Sequence, residues 1–186
     1  MRYNNIKAII FDRDGTLIEH VHYLSNPNEV KLLSGVKIGI RLLKELGFVL
    51  FLHTNQSGVG RNYFDIEAVF DCNKRMEELL GLDFKVFDRI CIATEKPDDP
   101  ILYRKPSSRF VTEIIRDYGF KSEEICCIGD RLSDLQVALE IGCKAIGINT
   151  GLISLKNELE KLQMKDCFEV ADNFRQVINL LLNKNL

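Results

Sequence analysis

The 186-residue chain has no tryptophan, four prolines and three histidines, and its 25 basic side chains are nearly cancelled by 27 acidic ones. A formal net charge of −2 supplies no bulk field for nucleic acid or an anionic membrane, so an anionic ligand has to be held by local groups. No apolar run approaches the roughly 18 residues of a membrane span, and the few apolar residues ahead of Asp12 fall short of a signal sequence. The expected location is therefore the cytoplasm, with neither membrane nor nucleic acid as a partner. The six cysteines (Cys72, Cys91, Cys126, Cys127, Cys143 and Cys167) contain no C-x-x-C pair and are expected as buried thiols rather than disulfides.

What is present is an ordinary globular composition, 46% hydrophobic and 28% charged, at a length that suits one domain over residues 1–186. Short, largely apolar runs at 7–11, 48–53, 86–93, 125–128 and 144–148 read as buried strands. Between them lie helical-period segments at 34–46, 65–80, 107–118 and 132–141, each closed by a glycine, and a last helix at about 173–182 is expected to pack on one face. Buried strands alternating with helices predict an α/β fold, a Rossmann-like three-layer α/β/α sandwich on a mainly parallel sheet. Ligands of such sheets bind beyond the carboxyl ends of the strands. The polar residues follow that rule: Asp12 and Asp14 end the first strand, Thr54 and Asn55 the second, Arg104 and Lys105 the loop after the third, Asp130 and Asp134 the fourth.

Two carboxylates in Asp12-Arg13-Asp14-Gly15-Thr16, with a glycine permitting the turn, suit a hard cation. Asp12 and Asp130 can offer carboxylate oxygens and Asp14 a main-chain carbonyl to magnesium, leaving the remaining positions to water and a phosphate oxygen. A carboxylate there can also attack phosphorus, with Asp14 as acid and base. Thr54 can donate to a phosphoryl oxygen, Lys105 can neutralise its charge, and Arg104 presents a fork of donors to another anionic group.

Taken in order, Asp12 to Thr16, Thr54-Asn55, Lys105-Pro106 and Gly129-Asp130-Arg131-Leu132-Ser133-Asp134 resemble the four motifs of the haloacid dehalogenase superfamily of phosphatases. The Asp-Arg-Asp-Gly opening, Thr54-Asn55-Gln56-Ser57-Gly58 and Arg104-Lys105-Pro106 are similar to the branch that holds D,D-heptose 1,7-bisphosphate 7-phosphatases and histidinol-phosphate phosphatases. The match covers about residues 6–151. The resemblance implies Asp12 as nucleophile, Asp14 as general acid and then base, and Thr54 and Lys105 as stabilisers of the transferring group. It implies magnesium at Asp12, Asp14 and Asp130, with Asp134 orienting Lys105 or the metal site. Arg13, Asn55, Gln56, Ser57, Arg104, Arg131 and the segment His20-Val21-His22-Tyr23 would contact substrate.

The implied substrate is a sugar phosphate, foremost heptose 1,7-bisphosphate, a precursor of the lipopolysaccharide core; histidinol phosphate is the alternative. A phospho-acceptor signalling domain is the alternative of another class, opposed by Asp14, which should speed loss of the phosphoryl group. Between the motifs there is room for loops, single helices and strands but not for an inserted cap domain, so a capless, monomeric enzyme is expected. Members of this branch often carry a zinc loop ahead of the Arg-Lys-Pro. Here residues 91–103 hold one cysteine and no histidine, so zinc is not expected, and prolines and packing must order the loop unless it stays mobile.

Plainer readings stand beside these. His53, inside an apolar strand, is expected to be packed and hydrogen-bonded rather than catalytic. Arg13 either contacts substrate or points into solvent, and Arg61 is expected in solvent. Leu152, Leu155, Leu159 and Leu162 read as a helical core face, and the acid-rich stretch from Glu95 to Asp99 as a solvated loop.

Overall fold

A computed structural model describes residues 3–183. Strands β1 (Ala8–Phe11), β2 (Val49–Asn55), β3 (Arg89–Ala93), β4 (Ile125–Gly129), β5 (Lys144–Ile148) and β6 (Glu169–Ala171) pair in parallel in the order β3-β2-β1-β4-β5-β6. The central strands are apolar on both faces because both faces are covered. Ile9, Phe11, Leu50, Leu52, Cys126 and Ile128 point to one side, against helices α1 (Val36–Glu45), α3 (Ile66–Leu80) and α7 (Phe174–Leu182). Their neighbours Ala8, Ile10, Phe51 and Cys127 point to the other, against α4 (Arg109–Tyr118) and α5 (Leu132–Ile141). The period of two along a strand thus divides the core into two layers around the sheet. Val36, Ile40 and Leu43 of α1 are fully buried, each contributing about 1.5–3 kcal/mol.

The expected helices recur within two residues of their boundaries. α3, α4 and α5 end on Gly81, Gly119 and Gly142, and α7 starts at Asn173, whose side chain accepts from the Gln176 amide. β2 continues past His53 to Asn55, and β3 begins only at Arg89, because Val86 and Phe87 are buried as a turn rather than as ladder residues. The four-residue helix α2 (Ser57–Gly60) and the three-residue strand β6 lie outside the sequence expectation, both too short to carry a periodic signal. Helix α6 (Leu155–Lys161) falls in the stretch whose leucine spacing is helical, but Leu155 and Leu159 are buried while Leu152 and Leu162, on either side of the helix, are exposed, so the expected four-leucine core face is corrected to two residues. Cys72, Cys91, Cys126 and Cys127 are buried thiols, but Cys143 is half-buried and Cys167 exposed.

Only loops and short helical turns separate β1 from α1 and β3 from α4. Among the described residues no helix is long and apolar enough to cross a membrane. The strand order reverses between β1 and β4, and that switch point opens a crevice at the carboxyl ends of the two strands that Asp12 and Asp130 follow.

Candidate active site

Asp12 leaves β1 with its amide still donating to the Ile128 carbonyl of β4 at 2.8 Å, so the first residue of the site is fixed by the sheet. The chain then turns tightly, with the amides of Thr16, Leu17 and Ile18 all directed at the Arg13 carbonyl. Gly15 sits there at φ +81°, and a Cβ on it would come within 2.6 Å of an Asp130 carboxylate oxygen, so no other residue fits between the ends of β1 and β4.

Lys105 is buried, and its ammonium has three acceptors: Asp12 Oδ1 at 2.6 Å, Asp134 Oδ1 at 2.7 Å and the His53 carbonyl at 2.7 Å. Burial alone would push this lysine down, but the Asp12 and Asp134 carboxylates outweigh it and hold the ammonium above the usual lysine range. Asp12 is pushed up to about 6 by burial and by the Asp134 and Asp14 carboxylates, against the pull of Lys105. Asp130 is pushed up to about 8 by burial and by Asp12 and Asp134. One ammonium is too little positive charge for the carboxylates gathered here.

Asp12, Asp130 and Asp134 each offer an oxygen within 4.8 Å of the others. Asp130 Oδ1 is buried with no hydrogen-bond partner. Asp134, by contrast, commits one oxygen to Lys105 and the other to the Arg131 amide at 3.0 Å. Hard oxygen donors, excess negative charge and an orphaned carboxylate oxygen fit a hard divalent cation.

Asp14 is held from behind. The Arg13 guanidinium is fully buried, donates to both Asp14 oxygens at 3.1 and 3.2 Å, and is anchored on α3 through Asn73 Oδ1 at 2.8 Å. Of the two sequence expectations for Arg13, solvent exposure is corrected: the guanidinium is fully buried, where it needs its carboxylate and amide partners. Asn73, whose role no motif marks, is recovered only from the fold. Gln56 Nε2 donates to Asp14 Oδ2 at 2.8 Å and to Thr54 Oγ1 at 2.7 Å, and the Thr54 hydroxyl points at Asp14 Oδ2 from 3.5 Å. Thr54 is fully buried beneath the cavity floor. Asn55 brackets the Lys105 main chain, accepting from its amide at 2.9 Å and donating to its carbonyl at 3.2 Å. Both amide side chains border the cavity while being committed to the protein, which shifts them from the expected substrate contacts toward supports of Asp14 and Lys105.

Above this floor lies a cavity of about 490 Å³, a size that accommodates a small metabolite. His20, Val21, His22, Tyr23, Ser57, Arg104 and Arg131 line it. Leu24, Gly58, Ser133 and the exposed Leu152 also line it; Gly58 and Ser133 belong to the motifs without an expected role there, and Leu24 and Leu152 carry no signal that would place them at a site. The Tyr23 ring stands edge-on to Tyr63 at 4.8 Å, bracing the 20–24 loop against the segment after α2. His53 is packed as expected: its Nε2 lies 2.8 Å from the Tyr103 carbonyl, its ring 5.0 Å from Phe110, and burial lowers it to about 3.

The acid-rich loop after β3 is the main departure. Glu95 Oε1 accepts the amides of Leu102, Tyr103 and Arg104 at 3.1, 2.6 and 3.1 Å, and Asp99 Oδ2 accepts the Lys96 amide at 2.8 Å. A carboxylate that reads in sequence as a solvated charge is the hub of the loop, which is ordered by neither prolines nor packing alone.

Known proteins align with this arrangement. A family model described as "HAD-hyrolase-like" matches residues 102–177. The D-glycero-D-manno-heptose-1,7-bisphosphate 7-phosphatase of Chlorobaculum tepidum is 32% identical over 92% of this chain and 92% of that protein. The histidine biosynthesis bifunctional protein HisB of Legionella pneumophila is 29% identical over 77% of this chain but only 41% of its own length. The crystal structure of D,D-heptose 1,7-bisphosphate phosphatase from B. bronchiseptica, complexed with magnesium and phosphate, superposes with a TM-score of 0.86 at 29% identity, covering 96% of this chain and 99% of that one. Similarity of this extent, on the same fold and over nearly the whole length, makes the chain a member of the haloacid dehalogenase superfamily of phosphatases.

Proposed function

We propose that the chain is a magnesium-dependent phosphomonoester hydrolase that works through a phosphoryl group carried on Asp12 and acts on a heptose 1,7-bisphosphate at its 7-phosphate. The observation that carries the reading is the Lys105–Asp12 contact at the sheet's switch point, inside a carboxylate cluster short of positive charge. Asp12 and Asp130, with oxygens left open, would hold magnesium together with the Asp14 carbonyl, while Asp134 orients Lys105. The cation would supply charge to offset the phosphoryl oxygens and the crowded carboxylates.

The protein's own groups account for the two steps. The Asp12 carboxylate attacks phosphorus, the bond from phosphorus to the sugar oxygen breaks, and Asp14 gives that oxygen a proton. Asp14 then takes a proton from water, the water oxygen attacks phosphorus, and the bond to Asp12 breaks, releasing inorganic phosphate and regenerating the carboxylate. The Lys105 ammonium beside Asp12 would offset charge that develops on the phosphoryl oxygens, and Thr54, buried and directed at Asp14, would help hold that carboxylate. Arg13 and Gln56 fix Asp14 for both proton transfers.

Arg104 and Arg131, which both line the cavity, favour a substrate with a second anionic group, since two guanidinium groups repel the ammonium of histidinol phosphate. The test is phosphate release, with and without magnesium, from heptose 1,7-bisphosphate, histidinol phosphate and a panel of sugar phosphates, with Asp12→Asn as blank. The heptose bisphosphate is expected to have the highest kcat/KM. Preference for histidinol phosphate keeps the chemistry and overturns the substrate. A long-lived phosphoenzyme with no turnover overturns both in favour of a signalling domain.

A further inference from the structure

We propose that Glu95 is a positioning residue for Arg104: by gathering three successive main-chain amides it fixes where the Arg104 side chain enters the cavity. The inference goes beyond the phosphatase reading but rests on it for the claim that Arg104 meets substrate. Its basis is geometric. One carboxylate oxygen receives the amides of Leu102, Tyr103 and Arg104, and the Arg104 guanidinium returns to donate to the Glu95 carbonyl at 3.2 Å. Residue 104 is thus tied to residue 95 at its main chain and at its side chain.

The base that Glu95 stands on is itself fixed. A Cβ on Gly60 would come 2.3 Å from the Thr94 carbonyl, so the chain just before Glu95 lies hard against the end of α2. The far side of the loop is closed separately, by Ser107 Oγ donating to the Leu102 carbonyl at 2.8 Å and by the Tyr103 hydroxyl donating to Glu113 at 2.8 Å. These bonds hold the 102–107 strap together, while Glu95 joins the strap to the sheet.

Charge gives the second argument. Burial and the fields of Arg131 and Arg61 all disfavour a cation at Arg104, and Glu95 opposes them. Without an anion at position 95, the Arg104 guanidinium would gain by swinging away into solvent, leaving three amides without an acceptor. The carboxyl of Glu95 is suited to this place, because it stays an anion there. Burial works to raise it, but the amide donors outweigh burial and hold it below its ordinary range.

The test uses the whole enzyme with Glu95→Ala, Glu95→Gln and Arg104→Ala. Without any substrate, amide hydrogen exchange at 102–104 is expected to quicken by about tenfold or more in Glu95→Ala, with the β1 and β2 amides unchanged. In turnover, KM for the bisphosphate is expected to rise about tenfold with a smaller change in kcat, while KM for a sugar monophosphate lacking the distal anion stays within about twofold. Adding Glu95→Ala to Arg104→Ala should change the bisphosphate KM no further. Glu95→Gln, which keeps the size and one oxygen acceptor, is expected to fall between wild type and alanine and serves if the alanine variant fails to fold. Unchanged exchange at 102–104, equal KM increases for both substrates, or additive effects with Arg104→Ala would each overturn the proposal. If the wild type hydrolyses neither ester, the phosphatase reading falls by itself, and exchange at 102–104 still decides whether Glu95 holds the loop.

Discussion

Lys105 and Arg104 are neighbours in the chain, yet the cavity floor holds one and the rim holds the other by different means. Lys105 reaches its place through charge: a buried ammonium between Asp12, Asp134 and the His53 carbonyl, with no donor left over. Arg104 is placed through its main chain, by amides that converge on a half-buried Glu95. The floor is therefore intolerant of losing the cations its carboxylates share, because each such removal strands a carboxylate in low dielectric. Changes at the rim should alter which ester binds rather than whether phosphorus is attacked.

Breaking the floor should cost most. Lys105→Met removes the group facing both Asp12 and Asp134, and kcat is expected to fall about 10²- to 10³-fold in steady-state assays. Arg13→Met, at a fully buried guanidinium, is expected to reduce unfolding free energy by about 3 kcal/mol in denaturant titrations, since Asp14 and Asn73 lose a buried partner. A surface arginine would cost almost nothing.

Asp130→Asn sharpens the contrast in the opposite direction. It relieves a buried carboxylate crowded by Asp12 and Asp134, so the metal-free protein should gain roughly 1 kcal/mol of stability. The melting temperature, expected to rise with magnesium in wild type, should then no longer do so.

The smallest effect belongs to the rim. Burial of Glu95 works against its charge, but the amides it accepts hold it below its ordinary value of 4.5, while Arg104 lies beside it and Lys96 pairs with Asp99. A depressed acid favours folding above its unfolded pKa, and that advantage disappears as pH falls through the folded value. The wild type should accordingly melt slightly higher than Glu95→Gln near pH 6, and the two curves should converge as pH falls from the ordinary 4.5 through the lower folded value.

The same division governs what could be read from the residues alone. Asp12, Asp14 and Asp130 directly follow strands, where a parallel sheet places its ligands, so the pattern of apolar runs points to them, while Lys105, in the loop after β3, and Asp134, in the first turn of α5, are marked by the motifs they belong to. α1, α3, α4, α5 and α7 are legible because each buries one face and most end in glycine. Arg13 is not, because an arginine between two aspartates looks the same in sequence whether it turns outward or back onto α3 to find Asn73. Glu95 is not either: its partners are main-chain amides, which every residue but proline possesses, so no residue type records the contact. β6 and α2 are too short for periodicity to show, and Leu152 reaches the cavity wall only through the turn ahead of α6.

The central claim is that Asp12 carries the phosphoryl group, and acid quenching during turnover followed by mass spectrometry of the digested enzyme tests it most directly. One phosphoryl group on the peptide containing Asp12, decaying at the rate of turnover and missing from Asp12→Asn, is the expected result. Full turnover by Asp12→Asn, or a phosphoryl group mapped to another residue, would contradict the account.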